Sequence, residues 1–191
     1  MPMTGSQTVG PFLHIGLADL YCDKLIPEEA VDAVVIAGQV TDGEGNPVPD
    51  GMLEIWQADA NGVYPDPRGG QPQDGRTAAP GFRGFGRVAT DQEGRFAFTT
   101  IKPGAVPGLH GHTQAPHIMV SVFMRGLIKR LATRIYFPGE AANETDSILQ
   151  LVPADRRATL IARADGANRY QWDVVIRAGR HGRAETVFFD V

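Results

Sequence analysis

A single cysteine, Cys22, among 191 residues excludes an internal disulfide and a cysteine-based zinc cluster, so it reads as a small reduced side chain. No apolar run approaches the ~20 residues that a bilayer span needs; the longest, such as Ala33 to Ala37, end after a handful. The N-terminus has no basic region followed by an apolar core, and the chain is expected to be cytosolic. Excess positive charge is missing as well. Against 22 Asp and Glu stand 18 Lys and Arg, a formal charge of −4, which excludes a generally basic nucleic-acid binder. Long helical periodicity is scarce. Present in its place are 23 glycines and 14 prolines, which in a chain that is 42% hydrophobic mean many turns in one packed core rather than disorder. At this length ~70% of the unfolded surface can be buried without a covalent staple.

Eight runs with period-two alternation or β-branched and aromatic enrichment, each bounded by turn residues, predict strands. They are Val34–Thr41, Met52–Ala58, Gly86–Thr90, Arg95–Ile101, His117–Arg125, Thr133–Phe137, Tyr170–Arg177 and Glu185–Phe189. The joints at Asp42–Pro47 and Asp91–Gly94 have hairpin composition. Phe96, Phe98 and Thr100 share one face of their strand; Ile118, Val120 and Val122 share another, leaving His117, Met119, Ser121 and Phe123 opposite. Only Ala141–Leu149 and Pro153–Ala162 read as helices, and both are short. The expected fold is all-β, an antiparallel β-sandwich of about eight strands with long loops. Two stretches lack periodicity: 59–83, with a Gly-, Pro- and Gln-rich part at 69–80, and Lys102–Pro116. Long loops of this kind are usually functional or mobile.

Three features carry possible chemistry. His110, His112 and His117 lie within eight residues, with Tyr64 upstream. Neutral imidazoles suit iron, copper or zinc, yet His110 and His112 sit in a Gly-rich loop where solvated side chains are the plainer reading. Arg125, Lys129, Arg130 and Arg134 put four cations in ten residues with no acid among them, which suits an anion or simply a solvated loop. Arg125 follows an apolar strand and precedes Gly126, so it is expected to be held at a strand end, where a guanidinium grips a carboxylate through two parallel bonds. The opening Gly5–Phe12 has no strand alternation and by composition would fray.

Trp56-Gln57-Ala58-Asp59-Ala60-Asn61-Gly62-Val63-Tyr64, Ile101-Lys102-Pro103-Gly104 and Ala115-Pro116-His117-Ile118-Met119 together resemble the intradiol ring-cleaving dioxygenases. The likeness spans nearly the whole chain, from Ser6-Gln7-Thr8-Val9-Gly10-Pro11 to Glu185–Asp190. It implies a β-sandwich and non-haem ferric chemistry that opens catechols between the two hydroxyl-bearing carbons. It also implies an iron held by two tyrosines and two histidines, of which Tyr64 and His117 match one each. The second tyrosine falls among Ala105, Val106 and Pro107, and the second histidine falls on Met119, a soft thioether poorly matched to hard Fe(III). Tyr64, His117 and Met119 are therefore expected to be vestigial ligand positions, and this chain to hold no metal. The resemblance then implies a partner, an iron-bearing beta subunit that carries the Fe(III). Arg125, Thr8, Gly10, Pro11 and Phe12 would contribute to that subunit's pocket for a carboxylated catechol, with no catalytic residue on this chain. Residues 1–191 would form one domain, with 1–32 as an arm in the subunit interface. The alternatives are a self-sufficient metalloenzyme using Tyr64, His110, His112 and His117, and a non-enzymatic sandwich that binds a small molecule.

Overall fold

Strands with alternating side chains each have one face to bury, and here two sheets meet on those faces. The computed structural model describes residues 8–10, 12–26, 30–65, 75–108, 111–179 and 183–190, with eleven strands among them. In the first sheet β1 (Ala33–Thr41) is central, with β4 (Arg95–Ile101) antiparallel along one edge. Along the other edge β10 (Arg169–Gln171) and β11 (Val174–Val175) follow one another in parallel, and β9 (Arg163–Ala164) pairs beyond β10. The second sheet, in the order β3 (Phe85–Ala89), β2 (Met52–Trp56), β7 (His117–Phe123) and β8 (Leu131–Tyr136), is antiparallel throughout. A small hairpin joins β5 (Val106–Pro107) to β6 (Thr113–Gln114).

Between the sheets Ile36, Val40, Phe96 and Phe98 meet Leu53, Ile55, Val88, Ile118, Val120, Val122 and Ile135 in one core cluster. Burial of each large apolar side chain is worth roughly 1.5–3 kcal/mol, and a slip of one residue would turn Phe96 and Phe98 to water, so burial sets the register. A second cluster, Ala115, Tyr136, Leu149, Val152 and Leu160, covers one end of the outer face of the β7–β8 pair. That cover is why His117, at the start of β7, is buried while Met119, Ser121 and Phe123 on the same face are half-buried.

The expected all-β sandwich is borne out, but it is not wholly antiparallel, because β10 and β11 run parallel to β1. The run Tyr170–Arg177 is broken between them. The Trp172 N–H donates to the Ala37 carbonyl at 2.8 Å, whereas the Gln39 N–H is taken by the Asp173 carboxylate at 3.1 Å. The Trp172 carbonyl lies so near Gly38 that a Cβ there would stand 1.8 Å from its oxygen, so only glycine fits. The expected Glu185–Phe189 strand is reduced to one bridge, Ala132 to Phe189. Its neighbouring backbone is held by threonine hydroxyls, Thr133 donating to the Val187 carbonyl and Thr159 accepting from the Val187 N–H. The strand after His117 ends at Phe123 and not at Arg125, and the one after Met52 ends at Trp56, where the Gln57 N–H turns to the Gly84 carbonyl.

The expected helix Ala141–Leu149 is a 3-10 turn, Ala141–Glu144, followed by a separate α-helix, Ser147–Gln150, because Asp146 is extended and caps the second piece through the Ile148 and Leu149 N–H groups. Pro153–Ala162 keeps only the 3-10 turn Arg157–Leu160. The Arg157 side chain binds the Val152 carbonyl and the Trp172 indole binds that of Thr159, so these carbonyls already have partners. Near the N-terminus a short helix, Phe12–Gly16, precedes Cys22 and Lys24, which bridge to Arg87 and Thr99, and Leu25, which enters the core. Of the loop at 59–83, residues 66–74 lie outside the described set; the rest returns to the core at Phe82.

Candidate functional site

Tyr64 reaches its place through a turn built by buried polar side chains. Asp59, wholly buried, accepts the N–H groups of Asn61 and Val63 on one oxygen and that of Ala79 on the other, each at 2.9 Å. Gln57, also wholly buried, donates to the Ile101 carbonyl at 3.0 Å and accepts from the Thr100 hydroxyl at 2.8 Å. Gly62, at φ +74°, packs so closely on the segment after Lys102-Pro103-Gly104 that a Cβ would lie 2.0 Å from the Ala105 oxygen. The two motifs are thus docked backbone to backbone, which brings Ala105 and Val106 beside the Tyr64 turn. Tyr64 stacks on Trp56 with ring centroids 5.8 Å apart.

Sheet register assembles the rest. Phe85, Trp56, Met119 and Arg134 stand opposite one another across β3, β2, β7 and β8, and His117 stands opposite Tyr136. A cavity of about 510 Å³ opens over this row, lined by Trp56, Phe85, Met119, Arg134 and Leu151 among others. The His117 Nδ1 lies 2.8 Å from the Ala115 carbonyl, to which its N–H donates, and the ring is 3% exposed. Burial, then the Arg134 charge, lower its pKa to about 4, so the imidazole is neutral. Burial pushes the Tyr64 and Tyr136 phenols up, against the opposing pull of Arg134 on both. Arg134 Nη1 donates to Gln114 Oε1 at 2.7 Å and to the Tyr136 hydroxyl at 3.4 Å. That hydroxyl donates in turn to Asp146 at 3.1 Å.

The sequence pattern pointed to Tyr64, His117 and Met119 but not to the way Arg134, Gln114, Tyr136 and Asp146 join them. The signal was available: Arg134 falls on the outer phase of β8 with Ala132 and Tyr136, and an aspartate before Ser147-Ile148-Leu149 is an N-cap pattern. His110 lies outside the described residues. His112 is exposed on the β5–β6 connection, far from the burial of His117. Among the described residues no three His, Cys, Asp or Glu side chains are grouped to hold a metal ion.

At the other end of β7 the opening segment meets the turn that follows the strand. The Gly126 N–H donates to the Thr8 hydroxyl at 3.0 Å, and Gly10 and Arg125 line one cavity of about 380 Å³ with Leu13, Ile15, Pro49, Asp50 and Gln92. Phe12 opens the short helix here, and Pro11 lies outside the described residues. The expected rigid hold of Arg125 at a strand end needs correction. It lies past the end of β7 with its side chain 67% exposed, tethered through Nε to Asp50. The four-cation run is likewise no single anion site: Lys129 pairs with Asp190, Arg130 is exposed, and Arg134 is taken up by Gln114 and Tyr136 on the outer face of the sheet. Asp50→Asn is expected to leave stability within about 0.5 kcal/mol of the parent, as exposed ion pairs contribute little; a urea denaturation midpoint checks this.

The Dioxygenase_C family model, described as dioxygenase, matches residues 23–178. The chain is 40% identical over 207 residues to a protocatechuate 3,4-dioxygenase alpha chain of Pseudomonas putida, covering 100% of this chain and 97% of that one. It is 37% identical over 186 residues to a protocatechuate 3,4-dioxygenase beta chain of Burkholderia cepacia, covering 92% and 76%. The chain belongs to the intradiol dioxygenase family. Its fold matches the dioxygenase domain of a dioxygenase–carbohydrate-binding fusion from Streptomyces sp. SirexAA-E, with a TM-score of 0.62 at 24% identity over 87% of this chain and 89% of that one. Intradiol dioxygenases are iron enzymes. In this member of the family the residues at the centre do not fit Fe(III). A thioether stands at Met119, Ala105 and Val106 offer no side-chain donor beside the Tyr64 turn, and Arg134, paired with Met119 across the strands, adds a positive charge held by Gln114 and Tyr136. No helix among the described residues is long and apolar enough to cross a membrane.

Proposed function

We propose that this chain is the iron-free alpha subunit of a protocatechuate 3,4-dioxygenase and that it acts only with an iron-bearing beta subunit in the cytoplasm. The pair cleaves 3,4-dihydroxybenzoate with O2 to 3-carboxy-cis,cis-muconate. This chain contributes binding and exclusion of water. The observation that carries the reading is the separation of its two sites. Thr8, Gly10 and Arg125 gather beyond the end of β7, about 20 Å of extended chain from the His117 end. An arginine there cannot serve a ligand held at its own Tyr64–His117 centre, so its substrate lies in a neighbour. Exposed Ile15 and Ile128, 71% and 65% accessible, give this end an apolar rim suited to a subunit contact. Arg125 holds the substrate carboxylate, with Asp50 fixing its Nε; Thr8 and Gly10 wall the pocket as an interface arm, to which the family resemblance also assigns Pro11 and Phe12.

The test is expression with and without the beta subunit. The chain alone is expected to be colourless and unable to cleave the ring; the mixed particle is expected to be active. In that particle Arg125→Ala should raise KM for the carboxylated catechol by about 10–100-fold, the loss of a charge-assisted bond, while sparing plain catechol. Ring cleavage by the chain alone, or equal losses on both substrates, would contradict the reading.

A further inference from the structure

The charge at the centre of this sandwich has not been lost along with the ligands. Strand alternation turns Arg134 to the outer face of β8, and the register sets it across from Met119 and two positions from Tyr136. It is held there by neutral groups: Gln114 Oε1 accepts from Nη1 at 2.7 Å, and the Tyr136 hydroxyl accepts at 3.4 Å. Because the Tyr136 O–H is spent on Asp146, its oxygen is free to accept, and the positive charge is connected to a wholly buried carboxylate through one hydroxyl. That carboxylate is also fixed by the N–H groups of Ala115, Ile148 and Leu149. Arg134 acts on Tyr64, His117 and Tyr136 in the direction a bound cation would, favouring phenolate over phenol and imidazole over imidazolium. The Nδ1–H of His117 is spent on the Ala115 carbonyl, so the lone pair of its other nitrogen remains for a positive partner.

We propose that Arg134 is the resident cation of the vacated centre, balanced through Tyr136 by Asp146, and that it bars a metal even when the missing imidazole is put back. A metal ion among Tyr64, His117 and position 119 would share a half-buried site with a guanidinium whose positive charge repels it. Metal binding in this chain is then opposed by a resident charge as well as by the absence of donors at Met119, Ala105 and Val106. The inference rests on the reading of the centre as vacated, not on subunit pairing.

The test uses the full chain and Co2+ alone as probe, with binding read by equilibrium dialysis and by the visible bands of the bound ion. Met119→His by itself is expected to take up no stoichiometric Co2+. Met119→His combined with Arg134→Gln should bind about one ion per chain, at least about 10-fold more tightly. Met119→His with Arg134→Lys, which keeps the charge, should stay empty, separating charge from volume. Cooperative unfolding verifies that each variant folds, and Arg134→Met replaces Arg134→Gln if glutamine loosens the sheet. Equal binding with and without Arg134, or no binding by a folded variant lacking it, would overturn the role of Arg134. Stoichiometric uptake by the parent chain would overturn the vacated centre itself, and the two failures are distinguishable.

Discussion

Asp146→Ala is expected to lower the unfolding free energy by about 3–5 kcal/mol and the melting temperature by roughly 6–20 °C. The carboxylate is wholly buried and accepts four hydrogen bonds, from the Tyr136 hydroxyl and the N–H groups of Ala115, Ile148 and Leu149. Hydrogen bonds to a charged group are worth more than neutral ones, and donors left buried without a partner bear their full desolvation cost. The losses would also uncap the Ser147–Gln150 helix, which covers the outer face of β7 and β8. Asp146→Asn keeps one oxygen in place but sets an amide N–H against that of Ala115, so a smaller loss of about 1–3 kcal/mol is expected. Urea denaturation of the three proteins decides the matter; an alanine variant as stable as the parent would mean that this carboxylate does not organise the centre.

The second large effect is in the pH dependence. His117 is held neutral by burial and by Arg134, against the weaker pulls of the Ala115 carbonyl and Asp146, with a pKa of about 4 in the folded state. The unfolded chain recovers the ordinary value near 6.5 and so binds more protons between pH 6.5 and 4. Folding stability therefore falls as the pH drops through that window, by about 3 kcal/mol from this group, and the contribution levels off below the folded pKa. Carboxylates titrate in the lower part of the same range, so the informative quantity is the difference between the parent and His117→Gln. That difference should widen in favour of the variant as the pH falls from 6.5 to 4. Parallel profiles, or an NMR titration of the His117 ring with its midpoint near 6.5, would refute the assignment.

Much of the fold could be read from the chain because one physical term dominates it. Where alternation marks a buried face, as in Arg95–Ile101, the strand has the expected limits. Where another force competes, alternation misleads. The Tyr170–Arg177 run is cut because an aspartate side chain takes a ladder donor, and Glu185–Phe189 is held by threonine hydroxyls and single backbone bonds to β8 and β11 rather than by a continuous ladder. The parallel pairing of β10 with β1 joins segments far apart in sequence, and no local pattern encodes it. The Trp56–Tyr64 and Lys102–Gly104 motifs were visible as motifs, but that Gly62 and Gly104 exist to let the two backbones touch is a tertiary fact: a Cβ on Gly104 would lie 2.4 Å from the Ala60 oxygen.

By itself the sequence determined that this is an all-β member of its family and that Met119, Ala105 and Val106 offer neither imidazole nor phenol, because residue type decides what can donate to a metal. Tertiary structure alone decided where the charges went. Arg125 and Arg134 are neighbours in one basic run, yet the turn after β7 sends the first outward past the strand end, and the register of β8 sets the second beside Met119, Gln114 and Tyr136. Electrostatic roles depend on distance and burial, which only folding sets.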